Sequence, residues 1–226
     1  MGTTVTVSAN VDAGFSIVSY TGDGANATVG HGLSVAPEMI IVKNREDAGM
    51  PWLVYHASNT SAPETDYLVL NTTAAGVDDA TYWNDTAPTS SVFTVATAHN
   101  VNADGEKYIA YCFHSVPNMT RVSTYRGNQL ADGFYVWTGF APALVMVKQN
   151  AGTGNWVMID NKRSTYNPSD EVLYADVNDV EADVTNLDID FLSNGYKMRG
   201  THANINTYMM ISIAFAATPF KYANAQ

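Results

Sequence analysis

Ala36-Pro37-Glu38-Met39-Ile40-Ile41-Val42-Lys43 is answered downstream by Ala141-Pro142-Ala143-Leu144-Val145-Met146-Val147-Lys148. In each, a proline leads towards four aliphatic residues and a lysine closes them. A run of four leaves no room for a helical stripe and reads as a strand buried on both faces. The two prolines stand 105 residues apart, and so do the two lysines. Working outward, Val18-Ser19-Tyr20-Thr21-Gly22 matches Ser123-Thr124-Tyr125-Arg126-Gly127, with the tyrosines again 105 apart. A tryptophan follows each ribbon, in Gly49-Met50-Pro51-Trp52 and in Gly154-Asn155-Trp156. Asn100-Val101-Asn102 pairs with Asn204-Ile205-Asn206 at an offset of 104, and Phe113 and Pro117 pair with Phe215 and Pro219 at 102. Five elements in one order, with so little drift, point to a duplicated unit. The expected organisation is a polar leader over residues 1–14, one repeat over 15–117 and a second over 118–226.

The signals within each half are strands. Trp52–Tyr55 and Trp156–Ile159 are the expected hairpin partners of the ribbons, across polar loops that contain glycine. Tyr67–Leu70, Val92–Val95, Tyr108–Phe113 and Phe134–Trp137 add further short strands, separated by turn clusters such as Gly22-Asp23-Gly24 and Ala103-Asp104-Gly105. Asp170–Asn186, the best helical window, carries β-branched residues and alternating acids and reads as loop and strand. Short strands at this spacing predict an all-β chain of two tandem antiparallel β-sandwich repeats, jelly-roll or lectin-like in kind.

Composition narrows the function. With 22 acidic and 11 basic residues the formal charge is −11, and the basic residues form no run. Phosphate backbones are held by lysine and arginine clusters, so nucleic acid is not the expected partner, and neither is an anionic membrane surface. Charged residues make up 15% of the chain, well under the ~25% of ordinary domains, and its surface polarity falls to Asn, Thr, Ser and Asp. No stretch approaches the ~18 apolar residues of a membrane span, and the opening Met1-Gly2-Thr3-Thr4 reads as no signal peptide. Cys112, the one cysteine, lies in an apolar strand and reads as a small buried hydrophobe.

Several stretches resemble a duplicated β-domain of tailed phages, especially marine ones. They are Gly14–Gly24 (GFSIVSYTGDG), Val29-Gly-His-Gly-Leu33, Ile40-Ile-Val-Lys43, Tyr82-Trp-Asn84, Ser90-Ser-Val-Phe93, Tyr108–Phe113, Asp188–Gly195 and Pro219-Phe-Lys-Tyr222. The resemblance covers nearly all of the chain from Gly14 onward. It implies a virion protein on the particle exterior (tail fibre, spike or head fibre) that contacts host-surface glycans. It further implies association with other virion proteins and a homo-oligomer, with a trimer expected. A capsid-decoration protein without ligand and a polysaccharide depolymerase are the alternatives. The second half departs from the first at Val29-Gly-His-Gly-Leu33, where Val136-Trp-Thr-Gly-Phe140 stands instead, so a site built on His31 exists once.

Catalytic spacings are few. There is no H-E-x-x-H and no G-x-S-x-G, and the chain is expected not to be an enzyme. A hydrolase needs two carboxylates about a scissile bond; the candidates lie in the acidic stretch Asp170, Glu171, Asp176, Asp179, Glu181, Asp183, Asp188 and Asp190, of which Asp188 and Asp190 would share one strand face. Asp176, Asn178 and Asp179 offer clustered oxygens for calcium, against the plainer reading of a solvated acidic loop; no other cofactor is expected. His99 and His202, 103 apart, are expected to make one shared structural hydrogen bond. Recognition would fall to aromatics, since sugars present apolar faces that stack on indole and phenol rings. Tyr82, Trp83, Asn84 and Asp85 form the expected exposed platform, followed by Trp137 and by Tyr166 with Asn167; core packing is the alternative for each. Trp52 and Trp156 are assigned to the core.

Overall fold

The computed structural model describes residues 4–218. Pro219 and the Pro219–Tyr222 motif lie outside the described residues, as do the first three positions of the expected leader. The described chain is all-β and antiparallel, relieved only by single-turn helices and a short 3-10 turn. It divides into two compact units, Met1–Asn71 with Gly76–His114, and Thr72–Ala75 with Ser115–Gln226.

In the first unit the strands are β1 (Val5–Asn10), β2 (Phe15–Thr21), β3 (Ala27–Gly30), β4 (Met39–Asn44), β5 (Trp52–His56), β6 (Asp66–Val69), β7 (Val77–Asp78), β8 (Val92–Val95) and β9 (Lys107–Phe113). Two single-turn helices, α1 (Ala80–Trp83) and α2 (His99–Asn102), interrupt them. The large sheet runs β1-β2-β9-β4-β5-β6-β7 and a small one pairs β3 with β8. Val29 of β3, and Phe93 and Val95 of β8, join Val18, Ile40, Val42 and Leu53 of the large sheet in one core. Two sheets closing on one apolar layer is the sandwich arrangement.

The second unit contains β10 (Thr120–Arg126), β11 (Tyr135–Trp137), β12 (Pro142–Gln149), β13 (Val157–Asp160), β14 (Glu171–Tyr174), β15 (Ala182–Asp183), β16 (Ile189–Leu192), β17 (Gly195–Met198), α3 (Ala203–Asn206) and β18 (Met209–Ala216). Its large sheet runs β10-β18-β12-β13-β14-β15 and its small one β11-β17-β16. From β2 in the first unit and β10 in the second, the large sheets follow the same order of chain segments. Both aliphatic ribbons are interior strands, β4 between β9 and β5, and β12 between β18 and β13. Each pairs with the strand after it as an antiparallel hairpin. Met39–Val42 are buried on both faces, whereas Leu144 and Met146 are only half-buried.

The side chains that fasten these sheets also correspond. Tyr20 Oη donates to the carbonyl of Val101 at 2.7 Å, and Tyr125 Oη donates to that of Ile205 at 2.7 Å. Asn102 Nδ2 donates to the carbonyls of Ala25 and Ala96, and Asn206 Nδ2 to those of Leu130 and Gly200. The lysine closing each ribbon reaches the hairpin loop beyond it. Lys43 Nζ donates to the carbonyls of Asp47 and Met50, and Lys148 Nζ to those of Gln149 and, less closely, Gly152 and Thr73. Lys148 is fully buried, and burial lowers its ammonium to about 8 against a smaller opposing pull from Asp176. Carbonyl dipoles in place of water let the charge sit inside the sheet.

Three expectations are corrected. Residues 5–10, read as part of a leader, form β1 and pair along their whole length with β2. The two histidines do not make equivalent hydrogen bonds. His99 Nε2 lies 2.9 Å from Glu106 at the surface, whereas His202 caps α3 by accepting from the Asn204 amide. Their helices align through Asn102 and Asn206, which sets His202 against Ala98 rather than His99. Trp52 is half-buried and stacked on Tyr111, while Trp156 is 2% exposed, in the core.

Candidate functional site

A cleft of ≈ 280 Å³ opens in the second unit between the start of β10 and the end of β11. Its wall is made by Ser115, Pro117, Asn118, Arg121, Trp137 and Gly139, among others. Val116 and Thr120 exchange backbone hydrogen bonds of 2.9 and 3.1 Å across a tight turn at Pro117-Asn118-Met119, where Asn118 has φ 63°. Asparagine is among the few side-chain-bearing residues that tolerate the left-handed region. Ser115 Oγ then accepts from the Val122 amide at 3.0 Å. This rigid floor holds Arg121, on β10, under Trp137, the last residue of β11.

Trp137 is 55% exposed, and its indole carries the Arg121 guanidinium carbon 5.3 Å from the ring centroid. A Cβ at Gly139 (φ 85°) would press on that indole at 3.0 Å, so the ring lies against bare backbone. The following chain is fixed by Thr138, whose Oγ1 donates to the Phe140 carbonyl at 2.6 Å. In the first unit His31 stands at this position, buried, with Nδ1 accepting from the Leu33 amide and Nε2 donating to the Thr89 carbonyl. Burial lowers its imidazolium pKa, in keeping with a neutral structural histidine. Gly32 and Gly139 both take positive φ, which aligns the two turns and sets Trp137 against Gly30. The indole has no counterpart in the first unit.

The profile of one family, described as a domain of unknown function (DUF7483), matches residues 2–219. The chain belongs to this family. The match runs through both units. No curated protein and no solved structure matches the chain.

The platform expected at Tyr82-Trp83-Asn84-Asp85 divides in two. Asp79 caps α1 by accepting from the Thr81 amide, and Asn84 closes it in the left-handed conformation at φ 53°. This single turn points Tyr82 and Trp83 inward. Trp83 is 2% exposed, packs edge-on to Tyr55 and donates its indole N–H to the Asp66 carbonyl at 3.1 Å. Tyr82 is buried and stacks on Tyr67 at 3.9 Å. Only Asn84 and Asp85 face solvent, and Asn84 Oδ1 accepts from Asn26. Tyr82 and Trp83 are therefore core residues.

Tyr166 is 86% exposed beside a wide, shallow depression shared with Arg163, Asn167, Asp170 and Glu171. Asn167 is tied to the backbone of Phe191 through both amide atoms. Arg163 is already paired with Asp160 and Glu181. Among the described residues no group of three or more His, Cys, Asp or Glu is arranged to hold a metal. Of the calcium candidates, Asp176 spends both oxygens on the Trp156 amide and the Asn155 side chain, while Asn178 and Asp179 lie in exposed loop. Cys112 is buried, and burial pushes its thiol up to about 12.

Of the expected carboxylate pair, Asp190 is bound to Arg199 at 3.2 Å. Asp188 is half-buried, and burial, then Asp170 and Asp183, raise its pKa. A carboxyl whose folded pKa is raised stabilises the fold below its unfolded pKa of ~3.9, and that advantage disappears as pH climbs through the folded value. Asp188→Asn is therefore expected to raise the melting temperature at pH 7 and to change it little at pH 3, as thermal melts at the two pH values will measure.

Proposed function

We propose that the chain is a lectin-like, non-enzymatic component of the exterior of a phage particle that contacts host-surface glycan through the Trp137 cleft. The observation that carries this reading is the exposed indole of Trp137, held over bare backbone at Gly139 and braced by Arg121. A large aromatic held open to solvent beside polar side chains suits the apolar face and the hydroxyls of a sugar ring. The phage setting rests on the family resemblance of the sequence motifs. Two copies of one ancestral strand-rich unit then make the scaffold, as the matching strand order and the paired Tyr, Asn and Lys contacts support. The second copy acquired the binding residue where the first kept Gly30. The reading includes assembly with other virion proteins and a homotrimeric state.

A glycan array probed with the wild-type chain and with Trp137→Ala tests it. Wild type is expected to bind a restricted set of host polysaccharide fragments, and the variant to lose more than ~tenfold of that affinity, as truncated aromatic anchors do. No glycan signal, or a signal that survives the substitution, overturns the site. Release of reducing sugar from the bound polysaccharide, abolished by Asp190→Asn, would favour a depolymerase instead.

A further inference from the structure

We infer that the Trp137 cleft selects carboxylate-bearing sugars, with the guanidinium of Arg121 taking the carboxylate and the indole taking the ring; the inference rests on the glycan reading above. The first support is charge. The chain holds 22 acidic and 11 basic residues, yet the nine residues lining the cleft include one arginine and no carboxylate. An acidic ligand meets no like charge there. The second is the state of Arg121. Its Nε is buried and has no hydrogen-bond partner, and a buried donor left unmade is unfavourable. Its contact with Trp137 is a cation–π approach of the guanidinium carbon to the ring, 5.3 Å from the centroid, which consumes no N–H donor and leaves the fork of the guanidinium to a bidentate carboxylate.

The third is the origin of the space. In the first unit β1 covers the edge of β2, and Val7 and Ala9 of β1 pack on Gly32. In the second unit β10 takes the place of β2 at the edge of its sheet. Among the described residues the short Ser115–Val116 stretch lies along it, and the Trp137 ring lies against Gly139. Among the described residues, the cleft thus lies where a strand sits in the first unit, and it is furnished with one cation and one aromatic.

Titration calorimetry of the intact chain with an oligogalacturonate and with a neutral galactan fragment of equal length tests the inference. The acidic fragment is expected to bind at least roughly tenfold tighter, with the preference fading as ionic strength rises. Arg121→Gln is expected to erase the preference, weakening acidic binding far more than neutral binding, and Arg121→Lys to restore part of it, since a point charge replaces the planar fork. Unchanged melting temperatures establish that the variants are folded. Equal affinity for the two fragments, with Trp137→Ala abolishing both, overturns the acidic selectivity and leaves the glycan site standing. Acidic preference that survives Arg121→Gln also overturns it. Binding of neither fragment overturns the selectivity, and an empty glycan array alongside it removes the glycan reading as well.

Discussion

Trp83→Ala is expected to destabilise the protein by ~3–5 kcal/mol, the range for deleting a buried tryptophan or phenylalanine. Trp83 is 2% exposed in the core of the first unit. Its removal opens a cavity between Tyr55 and α1, and it removes the hydrogen bond that the Asp66 carbonyl accepts from the indole. A single-turn helix has no internal reserve with which to close that space. Trp137→Ala supplies the contrast. It removes an exposed ring and a cation–π contact worth ~0.5–1 kcal/mol at such sites, so its midpoint in urea should stay close to wild type. Midpoints that fall equally for the two variants would mean that the inward turn of α1 is wrong.

Gly127→Ala and Gly22→Ala are the second pair with large expected effects. Gly22 and Gly127 follow Tyr20 and Tyr125 at the same spacing. A Cβ at Gly22 would overlap the Ala103 carbonyl, and one at Gly127 the backbone between Asn206 and Thr207. Neither neighbour can withdraw. Asn102 and Asn206 bind the incoming loops by accepting from the Asp23 and Asn128 amides at 3.1 and 2.9 Å, while their own amide groups anchor the loops further along. Overpacking against fixed backbone belongs at or beyond the ~1–3 kcal/mol usual for cores. Gly49→Ala is the control, since its Cβ would meet only the flexible Asp47 side chain at 3.3 Å. Urea midpoints are expected to drop sharply for the first two and to stay put for the third.

Strands were the most legible level of this chain. Four-residue aliphatic ribbons between turn clusters leave little choice, and Met39–Val42 and Leu144–Val147 lie in the interior strands β4 and β12. β1 was also present in the sequence as the alternation Val5-Thr6-Val7-Ser8-Ala9-Asn10. Its signal is weak because nothing in the second half repeats it. The platform at Tyr82–Asp85 failed for a physical reason. A helix of one turn shows no periodicity, and polar neighbours at Asn84 and Asp85 mask the inward rotation that Asp79 and Asn84 impose from its two ends. Trp137 was visible as an aromatic where the first half has glycine. Arg121 is not legible as a partner of Trp137, because sixteen residues separate them along the chain and only the fold brings them together. The histidine pair misled through spacing alone: an offset of 103 against the 104 of the neighbouring asparagines moves a helix cap by one residue.

The Trp137 cleft is tested most directly by the indole N–H signals of the four tryptophans in a nitrogen-15 spectrum, with Trp137 assigned through Trp137→Phe. Titration with the best glycan from the array is expected to move the Trp137 signal and leave those of buried Trp83 and Trp156 in place. A bound glycan that leaves the Trp137 signal still, or shifts another indole instead, would contradict the account.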